Sequence, residues 1–462
     1  MIALVLALAM AATDIVGSVS APADEPVRAR AEPKFPLKVS ANGRYLVDQD
    51  NAPFLIVGDS PQSLIGNLTM AEATRYMRNR ADHGINALWI NLLCNYGTAC
   101  RQDGETVDGL APFDVPGDLS TPNPQYFERA RAIVELAAAN HQAVFLNPIE
   151  TIGWLSILRA NGTDRGFAYG KFLGKTFGSF PNIVWMYGND FQSWQTSQDD
   201  QLLQSVAAGI RSVDRTHIAT VELNYLTSGS LDDPTWRPLI DLNAAYTYYP
   251  TYAQVLTEYN RPRPLPVFLI EANYEFERNP GTDGGAPSNL RHQNYWSMFS
   301  GATGLFYGSS YSWQFLPGWE DHLDSVGVRE LQIMKDFLDR FEWETLIPDQ
   351  DHQTVVAGLG TYSARGSIAE DTYATAAKTA DGSLLMAYLP TPRSIVVDMA
   401  QLRGTMVARW FDPTTGLLQP GDDKALPSGG RVTLTPPGKN GSGDEDWVLV
   451  IAQTTKMRSA FE

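Results

Sequence analysis

The sequence predicts an α/β protein, a (β/α)8 TIM barrel followed by a small all-β sandwich domain. Three observations carry this reading. Between residues 53 and 342 short apolar runs alternate with amphipathic segments, the rhythm of repeated strand and helix units on a parallel sheet. The runs number eight, which fits a closed barrel better than an open doubly wound sheet, and no Gly-rich phosphate turn follows the first of them. Beyond Pro348 helical periodicity ends, and short alternating runs separated by Gly, Pro and Asp replace it.

In chain order, residues 1–12 form an apolar run too short to span a bilayer. With the small residues Val19-Ser20-Ala21 behind it, the run reads as a signal peptide over 1–21. A Pro/Ala/Glu/Arg leader over 22–36 follows, so a secreted or periplasmic protein is expected, with no membrane association beyond export. Asn42-Gly43 and the polar run 48–51 suit the turns of a small hairpin plugging the barrel's N-terminal side. Barrel strands are expected at 54–58, 87–93, 143–147, 183–187, 219–223, 244–248, 267–270 and 304–307. Helices are expected at 69–83, 124–140, 166–180, 197–213, 253–260, 289–300 and 325–341, and the stretch after Leu223 has the weakest helical pattern. The barrel then covers 37–345. Sandwich strands are expected at 384–389, 394–398, 406–411, 431–434 and 447–451, within a domain over 352–455.

Composition narrows the function classes. A net charge of −17 repels phosphate backbones and anionic lipid, so nucleic acid is not an expected partner. Eleven Trp and nineteen Tyr supply flat faces that suit sugar C–H surfaces as well as protein cores. The six histidines are scattered and no H-E-x-x-H or calcium-type acidic spacing occurs, so neither metal nor cofactor is expected. Cys94 and Cys100 fit a loop-closing disulfide and a pair of buried thiols equally well.

Barrel sites lie at the C-terminal ends of the strands, so the residues ending each apolar run are the candidates. They are Asp59 on strand one, Trp89 and Asn91 on two, Asn147 on three, Asn189 and Asp190 on four, Tyr246 and Tyr248 on six, Glu271 on seven and Trp313 after eight. A single carboxylate after a strand is more often a cap or a mouth salt bridge. Asp190 and Glu271 on opposite sides of the mouth instead match the paired acids of glycosidic cleavage. Asn189 is placed to bind a hydroxyl beside the reacting carbon. Asp59 fits a sugar hydroxyl or a structural salt bridge. Trp89, Trp154, Trp194 and Trp313 fit sugar platforms or core packing. Glu222 and Glu150, at or after strand ends, are the reserve carboxylates.

Several segments together resemble a known family. They are 183–190, Gly58-Asp59, Leu269-Ile270-Glu271, 301–308, Trp410-Phe411-Asp412-Pro413 and 446–449, and they resemble the apiosidase-like glycoside hydrolases of family 140. In that family a catalytic barrel precedes a domain historically labelled collagen-binding. The resemblance runs from Phe35 to Ala452 and implies a retaining mechanism, with Asp190 as acid/base and Glu271 as nucleophile. It further implies a carbohydrate substrate, an apiosyl furanoside of a plant glycoside or polysaccharide. A glycosidase of other sugar specificity and a noncatalytic carbohydrate- or matrix-binding protein are the alternatives. Where a His-containing turn is expected after strand five, the chain reads Glu222-Leu223-Asn224.

Overall fold

The computed structural model describes residues 32–95, 97, 99–101, 103–191, 197–419 and 424–461. The expected signal peptide, most of the leader and Trp194 lie outside the described residues. Eight parallel strands follow one another at Ile56–Asp59, Ala87–Asn91, Ala143–Asn147, Ile183–Met186, Ala219–Thr220, Asn243–Thr247, Val267–Glu271 and Gly304–Tyr307. They are called strands one to eight. Around the sheet they run five, four, three, two, one, eight, seven, six, with strand one paired to strand eight from Ile56↔Gly304 to Tyr307↔Asp59.

Strands five and six do not pair directly in a ladder. The short strand Thr227–Gly229 runs antiparallel to strand six, and a 3₁₀ turn, Pro234–Trp236, follows where the helical pattern was weakest. Gly229 matters here because a Cβ would collide with the buried Glu258 carboxylate. The seam is drawn together by the Asp241 and Leu242 N–H groups, which both donate to Ala219 O, and by Ser230 Oγ, which donates to Val221 O.

Several helices start where the sequence carries caps. Thr69 and Glu72 form a reciprocal capping box ahead of Met70–Asp82, and Asn123 caps Pro124–Ala139. The helix expected from 166 begins earlier, at Leu155, and bends at Gly162 with φ 74°. Gly170 and Gly209 let it lie against Ser197–Arg211, since a Cβ on either would strike the other helix's backbone. Lys38–Val39, Leu46–Val47 and Pro53–Phe54 form an antiparallel ribbon. Leu37, Leu46 and Phe54 seat it on the inner core of Ile56, Ala87, Trp89, Phe145, Phe268 and Phe306.

The C-terminal domain is a two-sheet antiparallel sandwich. One sheet orders Leu346–Pro348, Thr375–Thr379, Leu384–Leu389, Trp447–Gln453 and Met406–Phe411, and the other joins Val355–Ala357, Ile395–Asp398 and Arg431–Leu434. Its first strand therefore starts before residue 352, and a final helix, Thr454–Phe461, extends past 455. Leu384–Leu389 is an unbroken apolar run because both faces are covered. Leu385, Ala387 and Leu389 fill the sandwich, whereas Leu384, Met386 and Tyr388 face the barrel. Across the junction the buried Arg291 bonds Glu330, Asp444 and Asp446, Trp296 Nε1 donates to Tyr373 O, and Phe337 stacks on Phe411 at 4.1 Å.

Candidate active site

Strand four ends in a turn that only particular residues tolerate. Gly188 takes φ 105° and Asp190 takes φ 49°, the left-handed region that costs a non-glycine residue energy unless its surroundings hold it. Three contacts do so. Gly188 N–H donates to Asn147 Oδ1 at 3.1 Å, Asn189 N–H to Thr151 Oγ1 at 3.1 Å, and Asp190 N–H to Glu222 Oε2 at 3.2 Å. The result aims the Asp190 carboxylate into a cavity of about 270 Å³ at the strands' C-terminal ends.

Glu271, the last residue of strand seven, lines the same cavity and is only 6% exposed. Tyr248 O–H donates to its Oε1 at 2.8 Å and Tyr274 O–H to its Oε2 at 2.7 Å. Tyr246 O–H donates to Asp190 Oδ1 at 2.8 Å. Tyr246 and Tyr248 serve the two carboxylates because residues two apart on a strand share a face. Gln62 Nε2 and Asn279 Nδ2 then donate to the Tyr274 and Tyr248 oxygens at 3.3 and 3.2 Å. Trp313 closes one wall, its Nε1 donating to Glu277 Oε2 at 3.1 Å.

Burial, then the charge of Asp190, pushes Glu271 upward against the lowering effect of its two phenols. Burial also raises Asp190, offset by Tyr246. Carboxyls that repel one another in this way titrate as a pair. Two phenols donate to Glu271 and one to Asp190, yet burial outweighs them and lifts Glu271 to about 8 and Asp190 to about 6, so the pair holds a proton at neutral pH.

Of the residues singled out in sequence, Asp190, Glu271, Tyr246, Tyr248 and Trp313 meet in the cavity. Asp59 does not. It is 0% exposed, and its Oδ2 is held by Arg80 Nε at 2.6 Å and Tyr76 O–H at 2.5 Å, so the structural ion pair is the correct reading. Trp89 is 1% exposed in the barrel core, and its indole N–H is used by Asn91, so it is no platform. Trp154 is likewise buried, against Phe113. Asn91, Asn147 and Asn189 form an amide ladder beneath the cavity. Asn147 Nδ2 donates to Asn91 Oδ1 and Asn189 Oδ1, so these amides brace the strand-four turn and do not line the cavity.

Glu150 binds the N–H groups of Ile152 and Gly153, and burial raises it to about 7. Cys94 and Cys100 are joined as a disulfide. Gln62, Tyr225, Tyr274, Glu277 and Asn279 were not read as site residues. All but Gln62 and Tyr225 sit in the loop after Glu271, where a Tyr three residues past a strand-ending acid was the available signal.

A larger cleft of about 620 Å³ opens at the opposite end of the barrel, against Phe54, Asn86 and His141, and contains none of the strands' C-terminal residues. Barrel chemistry belongs at the C-terminal face, which singles out the smaller cavity. A pocket with converging acids also differs from the shallow aromatic surface of a binding module.

The model of the family described as "Apiosidase-like, catalytic domain" matches residues 40–345. That of the "Putative collagen-binding domain of a collagenase" matches 363–452. Among curated proteins none matches the chain in sequence. A solved structure described as a glycoside hydrolase superposes with TM-score 0.77 at 21% identity, over 92% of this chain and 98% of its own. A glycoside hydrolase family 5 structure from Bacteroides vulgatus ATCC 8482 does so with TM-score 0.77 at 21% identity, over 91% and 93%. At that identity the likeness concerns the fold. With two thirds of its length matched by the catalytic family model, the chain belongs to the apiosidase-like family and is a glycoside hydrolase.

Proposed function

We propose that the enzyme removes a terminal apiosyl furanoside from a plant glycoside or polysaccharide by double displacement. Glu271 attacks the anomeric carbon while Asp190 protonates the departing oxygen, and Asp190 then takes a proton from the water that releases the sugar. The observation that carries this reading is the pairing of both carboxyls in one cavity, with the better hydrogen-bonded one on strand seven. A volume of about 270 Å³ sits at the small end for ligand sites, which fits one enclosed sugar better than a long polymer. The expected signal segment and the Cys94–Cys100 disulfide fit an exported enzyme.

The test compares aryl apiosides with other aryl furanosides and pyranosides, then examines two variants. Glu271→Gln should lose turnover by several orders of magnitude on every substrate. Asp190→Ala should keep much of its first step on an aryl glycoside and lose alkyl glycosides, and added azide should yield a glycosyl azide of retained configuration. Turnover by Glu271→Gln at the wild-type rate contradicts the assignment. A preference for another aryl furanoside or pyranoside contradicts the apiosyl specificity alone.

A further inference from the structure

Glu222 ends the fifth strand's apolar run beneath the cavity, 0% exposed, and forms no part of the two-carboxyl chemistry. Its Oε2 receives the Asp190 main-chain N–H at 3.2 Å, and its own N–H donates to Gly188 O at 3.3 Å. The strand-four turn is thus gripped at both ends of its left-handed segment by one residue. Its Oε1 is buried and finds no hydrogen-bond partner among the described residues. The groups facing it are Asp190 from strand four, Glu271 from strand seven, Tyr246 from strand six and Tyr274 just beyond strand seven. No Lys, Arg or His occurs among the described residues that line the cavity. A third anion would therefore stand beside two carboxyls with nothing to offset it, at a site that must keep one proton and one charge.

We propose that Glu222 is a positioning residue that works as the uncharged acid: it fixes Asp190 in its left-handed turn through the main-chain N–H and adds no charge under Glu271. Burial first, then the charges of Glu271 and Asp190, drives its carboxyl well above the ordinary range, in keeping with that state. The inference rests on Asp190 and Glu271 acting as acid/base and nucleophile. Its consequence is that glutamine, the permanent copy of a protonated glutamate, can replace Glu222 in function. Its Oε1 accepts the same N–H, and its amide carries no charge at any pH.

The experiment uses the full chain, an aryl glycoside that the wild type turns over, and the matching methyl glycoside. Glu222→Gln is expected to keep turnover on both and to keep the wild-type pH–rate profile. Glu222→Leu removes the acceptor and lets Asp190 drift. It should lose about 100-fold on the methyl glycoside and little on the aryl one, because only the poor leaving group needs a well-placed acid. Equal losses on both substrates in Glu222→Leu, or a shifted pH profile in Glu222→Gln, overturn the proposal and leave the Asp190 and Glu271 roles intact. An inactive Glu222→Gln beside an active Glu271→Gln overturns those roles, because Glu222 would then be the nucleophile.

Discussion

Tyr248 and Tyr274 both donate to Glu271, whereas Asp190 receives a single phenol, from Tyr246. Donors to an ionised carboxylate lower its pKa, so removing one raises it, and the group then needs a higher pH to ionise. Tyr274→Phe should therefore move the acid limb of kcat/KM upward by about one pH unit, the equivalent of one charge-assisted hydrogen bond. An unmoved acid limb would show that the phenol contributes nothing to the charge on Glu271. Gly308 is the support for that phenol, since a Cβ there would strike the Tyr274 ring. At this scale the sequence made both acids legible because each ends an apolar run. Asp59 ends one too, but its partners lie on a helix, Tyr76 and Arg80, and strand-end position alone does not reveal a partner 21 residues away.

Among the elements, Leu155–Phe177 and Ser197–Arg211 are held at close range by glycines. A Cβ on Gly170 would meet the Val206 carbonyl. Gly170→Ala should cost about 1–3 kcal/mol in urea denaturation, as overpacking does, and leave kcat on the aryl substrate near wild type. No loss of stability would mean that the helices have room to part. The turns before residue 166 escape the sequence pattern because Gly162, at φ 74° with open space around it, interrupts the helical geometry, whereas Gly166 makes room for Ser205 of the second helix. The barrel strands were easier to see, because each is covered on both faces and reads as a short unbroken apolar run. The seam between strands five and six was not, since a three-residue antiparallel strand has too little length for a pattern.

For the whole molecule, the helix Pro287–Phe299 is buried along most of its length because the sandwich covers the side a barrel helix usually shows to water. Its uniform burial hides the amphipathic pattern. Arg291, inside that helix, ties Glu330 to Asp444 and Asp446 of the sandwich. Arg291→Met should destabilise the protein by about 3–5 kcal/mol, because buried carboxylates lose their cation. Calorimetry should detect this, and a wild-type transition would refute the tie. Deleting 346–462 should leave an insoluble or strongly destabilised barrel. A soluble, fully active one would show that the sandwich has a separate task. The sandwich's apolar runs around Trp447 were readable as core in the sequence, and Trp447 is 0% exposed.

The central claim is that Glu271 forms the covalent bond to the sugar, and trapping that bond tests it most directly. The wild type would be incubated with an activated aryl 2-deoxy-2-fluoro apioside, whose electron-poor ring slows release of the glycosyl-enzyme, and its peptides mapped by mass spectrometry. The account predicts one sugar per chain, carried on the peptide containing Glu271. A sugar on the peptide of Glu222 or Glu150, or an unlabelled enzyme that releases sugar of inverted configuration, would contradict it.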